Sequence, residues 1–387
     1  MIRLGILATH PIQYHAPLFR QLASYPDIEL TVYFCHRPTS EEQGQGFGIP
    51  FQWDVDLISG YPHIWLKNQS AHPSLISFRG LDTPEIINII EQKQFDAFIV
   101  HGWNKKSCWQ AFSACWRTQT PLFVRSDSQL AAQKSNLKKL IKKLLYPLFI
   151  SRFDVCLAMG KRSAEYFHHF GGKRVITAPH FVDNDWFAEQ AESTRKQRKL
   201  LRSGWGFDEN TFVFLFAGKF ESKKRPLDAV HAVTQVIKSG QNAAMLMVGD
   251  GKLKSECQAV ANKNSLPVSF AGFLNQNEIP KAYASADCLV LCSDSRETWG
   301  LVVNEAMACG LPAIVSDKAG CAPDIILNGQ TGYSYPCGDI SELSKHMIRL
   351  ADDSDHAVFL GSSAFRHIQG YSAGNAAQVI VQALHEV

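Results

Sequence analysis

Short apolar runs alternate with amphipathic segments along most of the chain, and this alternation restricts the fold more than any other feature. In the first half the runs are Leu4–Thr9, Leu30–Cys35, Ala97–Gly102, Leu122–Asp127, Val155–Gly160 and Val175–Pro179. Segments of helical period, such as Tyr14–Ser24 and Thr83–Lys93, lie between most of them. In the second half the runs are Phe212–Gly218, Met245–Gly249, Val268–Gly272, Cys288–Cys292 and Ala313–Asp317. Continuous apolar strands separated by helices predict parallel sheets covered on both faces, an α/β doubly wound class. A chain of 387 residues has room for two such domains. The polar, basic stretch Glu189–Arg202 breaks the pattern and reads as a linker or as the first element of the second domain. Residues 1–188 are expected as the first domain and 189–387 as the second, the final helix being free to pack back on the first. Domains of this kind place ligands at the carboxyl ends of their strands.

Composition narrows the function. A net charge of +3 is too small to imply a nucleic-acid partner. The 10 cysteines form no C-x-x-C pair, so neither a zinc site nor a secreted disulfide framework is suggested. The opening MIRLGILATH is too short in apolar run for a signal peptide and reads as a core strand. No apolar stretch reaches the roughly 18–20 residues that span a bilayer. The expectation is a soluble, cytoplasmic protein.

The densest chemistry lies in ETWGLVVNEAMACGLPAIVSD, Glu297–Asp317. Gly300 and Leu301 can open a helix, Val302 follows, and Glu305 falls about a turn inside. Gly310 and Pro312 are helix stop signals. Free N–H groups at such a helix start favour a phosphate. Acids beside a phosphate site make sense if they bind hydroxyls, and sugar hydroxyls are the obvious candidates. Upstream, FLFAGKFESKKRP (Phe214–Pro226) ends a strand at Gly218 and follows it with Lys219, Lys223 and Lys224, which suits a diphosphate. MVGDGKLK (Met247–Lys254) sets Gly249 and Gly251 where a backbone must come close. SFAGFL (Ser269–Leu274) places Gly272 and Phe273 at the end of a further strand.

Together these segments resemble the family 4 retaining glycosyltransferases, which have the GT-B fold: two Rossmann-like doubly wound domains facing an interdomain cleft. The likeness covers roughly residues 213–338. Glu297 and Glu305 match the family's E-x7-E signature, which implies that Glu297 contacts the donor sugar and Glu305 the ribose. Lys219 stands where relatives carry Arg, and Lys224 takes the Lys position; both are implied to hold the leaving diphosphate. Gly218, Gly249, Gly272, Phe273, Gly300, Leu301 and Val302 complete the implied donor-binding set. The departing phosphate is expected to assist a front-face substitution.

The first half is less specific. In ATHPIQYHAPLF (Ala8–Phe19), His10, Gln13 and His15 follow the first strand, and His10 and Gln13 are candidates for the acceptor side; capping and packing are the alternative. Many relatives carry a His after the fifth strand, but the matching run VRSDS (Val124–Ser128) has none. Asp127 and His101 are the catalytic candidates beside Glu297.

The basic amphipathic segment 134–149 sets Leu137, Leu140, Ile141, Leu144, Leu145 and Leu148 at helical spacing, with Lys138, Lys139, Lys142 and Lys143 between them. It fits either an anionic membrane surface, peripheral on the inner leaflet, or a core helix with a solvated lysine face. The expected activity is transfer of a sugar from a nucleotide sugar to a glycan, lipid-linked or small-molecule acceptor, with no cofactor and no obligatory metal. A GT-B sugar-nucleotide epimerase and a catalytically silent sugar-nucleotide-binding subunit are the alternatives.

Overall fold

The structure is a computed structural model that describes residues 1–130 and 136–387. It divides into two compact units. The first comprises residues 1–43, 55–180 and 373–387, and the second residues 44–54 and 181–372.

The first unit is built on a parallel sheet of β1 (Ile2–Ala8), β2 (Ile28–Phe34), β3 (His63–Trp65), β4 (Ala97–His101), β5 (Leu122–Ser126), β6 (Val155–Ala158) and β7 (Val175–Thr177). The strand order is β3-β2-β1-β4-β5-β6-β7. The second unit holds β8 (Phe212–Ala217), β9 (Ala243–Val248), β10 (Val268–Gly272), β11 (Cys288–Leu291), β12 (Ala313–Ser316) and β13 (Gly332–Tyr335), also parallel. Their order is β10-β9-β8-β11-β12-β13. Helices cover both sheets, so β8 and β9 are buried along their whole length, and this is why they read as unbroken apolar runs. In each sheet the order reverses beside the first strand, between β1 and β4 and between β8 and β11. Loops leaving the two strands there turn opposite ways and open a crevice at the carboxyl ends.

Two strands are absent from the sequence expectation. β3 and β13 are short edge strands, and β3 is half-buried or exposed throughout, so neither makes a continuous apolar run.

The 188/189 division falls inside the helix Asn184–Arg195. The stretch 189–202 lies in the helices Asn184–Arg195 and Arg198–Gly204 at the start of the second unit's main segment, as a first element and not a linker. Arg195 donates to the Cys309 carbonyl, and Arg198 pairs with Asp287 at 2.6 Å. Arg202, only 4% exposed, pairs with Asp287 at 2.6 Å and donates to the Ser285 and Thr211 carbonyls. Guanidinium groups with several donors suit such carbonyl-rich chain ends. The final helix, Ala373–Leu384, belongs to the first unit and packs on the helix Ala16–Ala23.

In the helix Asn136–Ile150 the described leucines do not take the core side, contrary to the expectation of a core helix with a solvated lysine face. Lys138 and Lys139, with Leu137, Leu140 and Ile141, lie outside the residues whose side chains are described. Lys142 does not project freely: its ammonium lies 5.0 Å from the Tyr146 ring and 5.7 Å from that of Tyr166. Leu144, Leu145 and Leu148 are 65%, 58% and 71% exposed. The inward face is made instead by Tyr146, Phe149 and Ile150, with Phe149 stacked on Trp109 at 4.8 Å. Large aromatic side chains bury more area than leucine and take the core side.

Candidate functional site

In the second unit the loops after β8, β9, β10 and β11 carry nearly all the residues singled out from the sequence. Gly218 and Lys219 follow β8, Gly249 follows β9, Gly272 ends β10 with Phe273 next to it, and Glu297 lies in the loop after β11. The loops are drawn together by the backbone. Gly218 N–H donates to the Val248 carbonyl at 3.0 Å, and Gly249 N–H to the Gly272 carbonyl at 2.7 Å. A Cβ at Gly249 would lie 2.0 Å from the Gly218 carbonyl oxygen, at a φ of +124°, so only glycine fits this approach.

Glu297 is 8% exposed, and its Oε2 pairs with the Lys224 ammonium and accepts from Ser293 Oγ at 3.2 Å. Burial alone would raise its pKa, but Lys224 outweighs burial and holds the carboxyl below its ordinary value. It is ionised at neutral pH. Gly300, at φ +109°, turns the chain into the helix Val302–Ala308, whose N-terminal cap is Leu301. A Cβ at Gly300 would come within 2.8 Å of Leu291 Cδ2. Glu305 sits one turn in, 6% exposed, and accepts a hydrogen bond from Tyr283 Oη. Gly310, at φ +74°, ends the helix before β12.

The lysines do not converge. Lys224 is on Glu297, whereas the Lys219 ammonium donates to the Gln45 carbonyl at 2.5 Å and lies 4.7 Å from the Phe47 ring. Asp250, in the turn after β9, is held by Lys254 at 2.6 Å and accepts from Gly251 N–H at 2.8 Å.

In the first unit the candidates gather at the carboxyl ends of the adjacent strands β1, β4 and β5. His10 and Gln13 lie in the loop after β1, His101 ends β4, and Asp127 follows β5. His101 faces Arg125 in the β4–β5 register. Its ring packs edge-on against His15 with centroids 4.5 Å apart, and neither of its nitrogens has a hydrogen-bond partner. Gln13 Oε1 and His15 Nδ1 are likewise buried without partners. His10 Nδ1 lies 2.9 Å from Thr9 Oγ1. Burial lowers the pKa of His10 to about 4 and of His15 to about 3, with nearby positive groups adding to the effect. Burial, then His15 and Arg125, puts His101 well below 6.5. These imidazoles are neutral at pH 7 and can accept or donate hydrogen bonds to hydroxyl groups.

Several participants were not singled out from the sequence. Arg125, 2% exposed, donates to the Ala178 and Pro179 carbonyls at 2.8 and 3.1 Å. It thereby ties the chain before His180 to β5, and burial with Arg125 lowers the His180 pKa well below 6.5. Tyr283, Ser293 and the segment Gly44–Asp54 were also missed. Tyr283 and the segment Gly44–Asp54 act on residues distant in the chain, and Ser293, four positions before Glu297, belongs to no motif that marks it. Among the described residues no group of three or more His, Cys, Asp or Glu is placed to hold a metal ion.

Each unit carries a parallel, doubly wound α/β sheet, and comparison with solved structures gives the GT-B fold. The fold matches that of Anabaena Alr3699/HepE in complex with UDP with a TM-score of 0.75 over 100% of both chains, at 17% identity. Residues 197–367, most of the second unit, match the glycosyl transferases group 1 family. Among curated proteins, the chain is 30% identical over 180 residues to N-acetyl-alpha-D-glucosaminyl L-malate synthase of Bacillus anthracis, covering 46% of each. It is 28% identical over 183 residues to a GDP-mannose-dependent monoacylated alpha-(1-6)-phosphatidylinositol monomannoside mannosyltransferase of Corynebacterium glutamicum, covering 46% of this chain and 48% of that one. The matches thus span about half the length of those relatives.

Proposed function

We propose that the protein is a retaining glycosyltransferase that moves a sugar from a nucleotide sugar to a glycan or lipid-linked acceptor. The observation that carries this is the ionised, buried Glu297 paired with Lys224 beside the helix that bears Glu305, in the loops after β8 and β11 of a segment that matches the glycosyl transferases group 1 family. A donor diphosphate entering there competes for the Lys224 ammonium. Glu297, released from it, accepts hydrogen bonds from the sugar hydroxyls. Glu305, already oriented by Tyr283, accepts from the ribose. Lys224 and the free N–H groups near Leu301 and Val302 stabilise the negative charge that grows on the leaving phosphate. The bond from the anomeric carbon to that phosphate breaks as the bond to the acceptor oxygen forms on the same face, and the acceptor proton passes to the departing phosphate. No obligatory divalent metal is part of this chemistry. The neutral imidazoles of His10 and His101 and the amide of Gln13 bind acceptor hydroxyls, and Asp127 is the charged group beside them.

Leu144, Leu145 and Leu148, with the exposed Lys143, form an apolar and basic face suited to an anionic lipid surface. No described helix is long and apolar enough to cross a membrane. The lipid named as acceptor of the Corynebacterium relative fits an enzyme that meets its acceptor at such a surface.

A panel of nucleotide sugars tests the proposal. Release of nucleoside diphosphate that requires an added acceptor supports it. Conversion of one nucleotide sugar to another without release identifies an epimerase, and binding without turnover identifies a silent subunit.

A further inference from the structure

The chain leaves the first unit after Gln43, runs through Gly44–Asp54 as part of the second unit, and returns at Val55. This excursion lies on two of the proposed nucleotide-binding residues. The Gln45 carbonyl accepts from the Lys219 ammonium, which also faces the Phe47 ring. Phe47 and Phe51 pack on Phe273 with ring centroids 4.8 and 4.5 Å away. Trp53 closes the row, 4.9 Å from Phe51. The far end is fastened by hydrogen bonds from Asn275 to the Gln52 carbonyl at 2.7 Å and from Asn277 to the Asp54 carbonyl at 2.7 Å. Gly46 makes the near end fit: at φ +85°, a Cβ there would lie 2.6 Å from Glu221 Oε1 and 2.8 Å from Lys219 Nζ.

We propose that Gly44–Asp54 is an autoinhibitory strap on the donor site, holding the Lys219 ammonium and covering Phe273 until a nucleoside diphosphate displaces it. The inference rests on the proposed nucleotide site. A carbonyl dipole and a ring face are weaker partners for an ammonium than a diphosphate, whose charged oxygens make shorter and stronger hydrogen bonds. The exchange therefore favours the nucleotide once it arrives. Until then, affinity is reduced by the fraction of molecules in which the strap is closed. Phe273, uncovered, offers its ring to the base.

Calorimetry with UDP, GDP and ADP tests this on the full chain, using whichever nucleotide binds the wild type. Phe47→Ala and Gly46→Ala each loosen the strap and are expected to tighten binding by about threefold, given the modest strength of a partly exposed cation–π contact. In a Lys219→Ala background the gain from Phe47→Ala is expected to vanish. Unchanged or weaker binding by Phe47→Ala and Gly46→Ala overturns the strap while leaving the nucleotide site intact. If none of the three nucleotides binds wild type or variants, the nucleotide site itself is wrong and the strap falls with it. Trp53 gives a reading on the unaltered protein, with Trp53→Phe as the blank: its emission should change as nucleotide is added. A bound nucleotide that leaves Trp53 emission unmoved contradicts displacement.

Discussion

The Lys224 ammonium and the Glu297 carboxylate form an ion pair whose side chains are only 12% and 11% exposed. Each is the other's main compensation for lost hydration. Lys224→Met therefore leaves a buried carboxylate without its cation, which costs about 3–5 kcal/mol. The double variant Lys224→Met with Glu297→Gln is expected to recover most of that loss in urea unfolding. The pair also sets an acid limit. The folded Glu297 value lies below 4.5, so its contribution is complete above that pH and is lost as pH falls through the lowered value. A Lys224→Met protein as stable as the wild type at pH 7 would show that the pair carries little.

The histidines at the β1 and β4 ends predict a second dependence, at higher pH. In the unfolded chain they take up protons near pH 6.5, whereas His10 and His15 in the fold resist protonation until about 4 and about 3. Stability should be complete above pH 6.5 and fall as pH drops toward 4, by about 1.4 kcal/mol per pH unit for each such group. Urea unfolding of wild type and His15→Gln at pH 7 and pH 5 measures this. The variant should lose less between the two pH values, and equal losses would refute the assignment.

The exposed leucines predict a lipid contact driven by apolar area as well as charge. Replacing Leu144, Leu145 and Leu148 with Ser is expected to reduce sedimentation with anionic vesicles by tenfold or more, since full burial of one such side chain is worth about 1.5–3 kcal/mol. The fold should be little affected, because these side chains touch solvent. Equal sedimentation of wild type and variant would rule out this face as the contact.

How far the sequence reached depends on the range of each interaction. β8 and β9 were legible because burial on both faces leaves an unbroken apolar run. The Glu297–Glu305 loop and helix were legible because glycine, proline and helical geometry act over a few residues. Tyr283 was not, since it reaches Glu305 across 22 positions of sequence. The strap was not, because Gln45 and Lys219 are 174 positions apart. On the helix Asn136–Ile150 the leucine stripe was visible but its direction was not. Periodicity shows that one side is apolar, while Trp109 and Phe112, packed on Phe149, decide which side is covered.

The central claim is that Glu305 and Glu297 divide the donor between ribose and sugar. Calorimetry of free nucleoside diphosphate and of the matching nucleotide sugar, on wild type, Glu305→Ala and Glu297→Ala, tests it most directly. A hydrogen bond to a charged group is worth about 1.5–3 kcal/mol, so each lost contact should show as roughly tenfold or more. Glu305→Ala should weaken both ligands, whereas Glu297→Ala should weaken the nucleotide sugar and leave the free nucleotide nearly unchanged. Identical profiles for the two variants, or nucleotide binding indifferent to Glu305, would contradict the account.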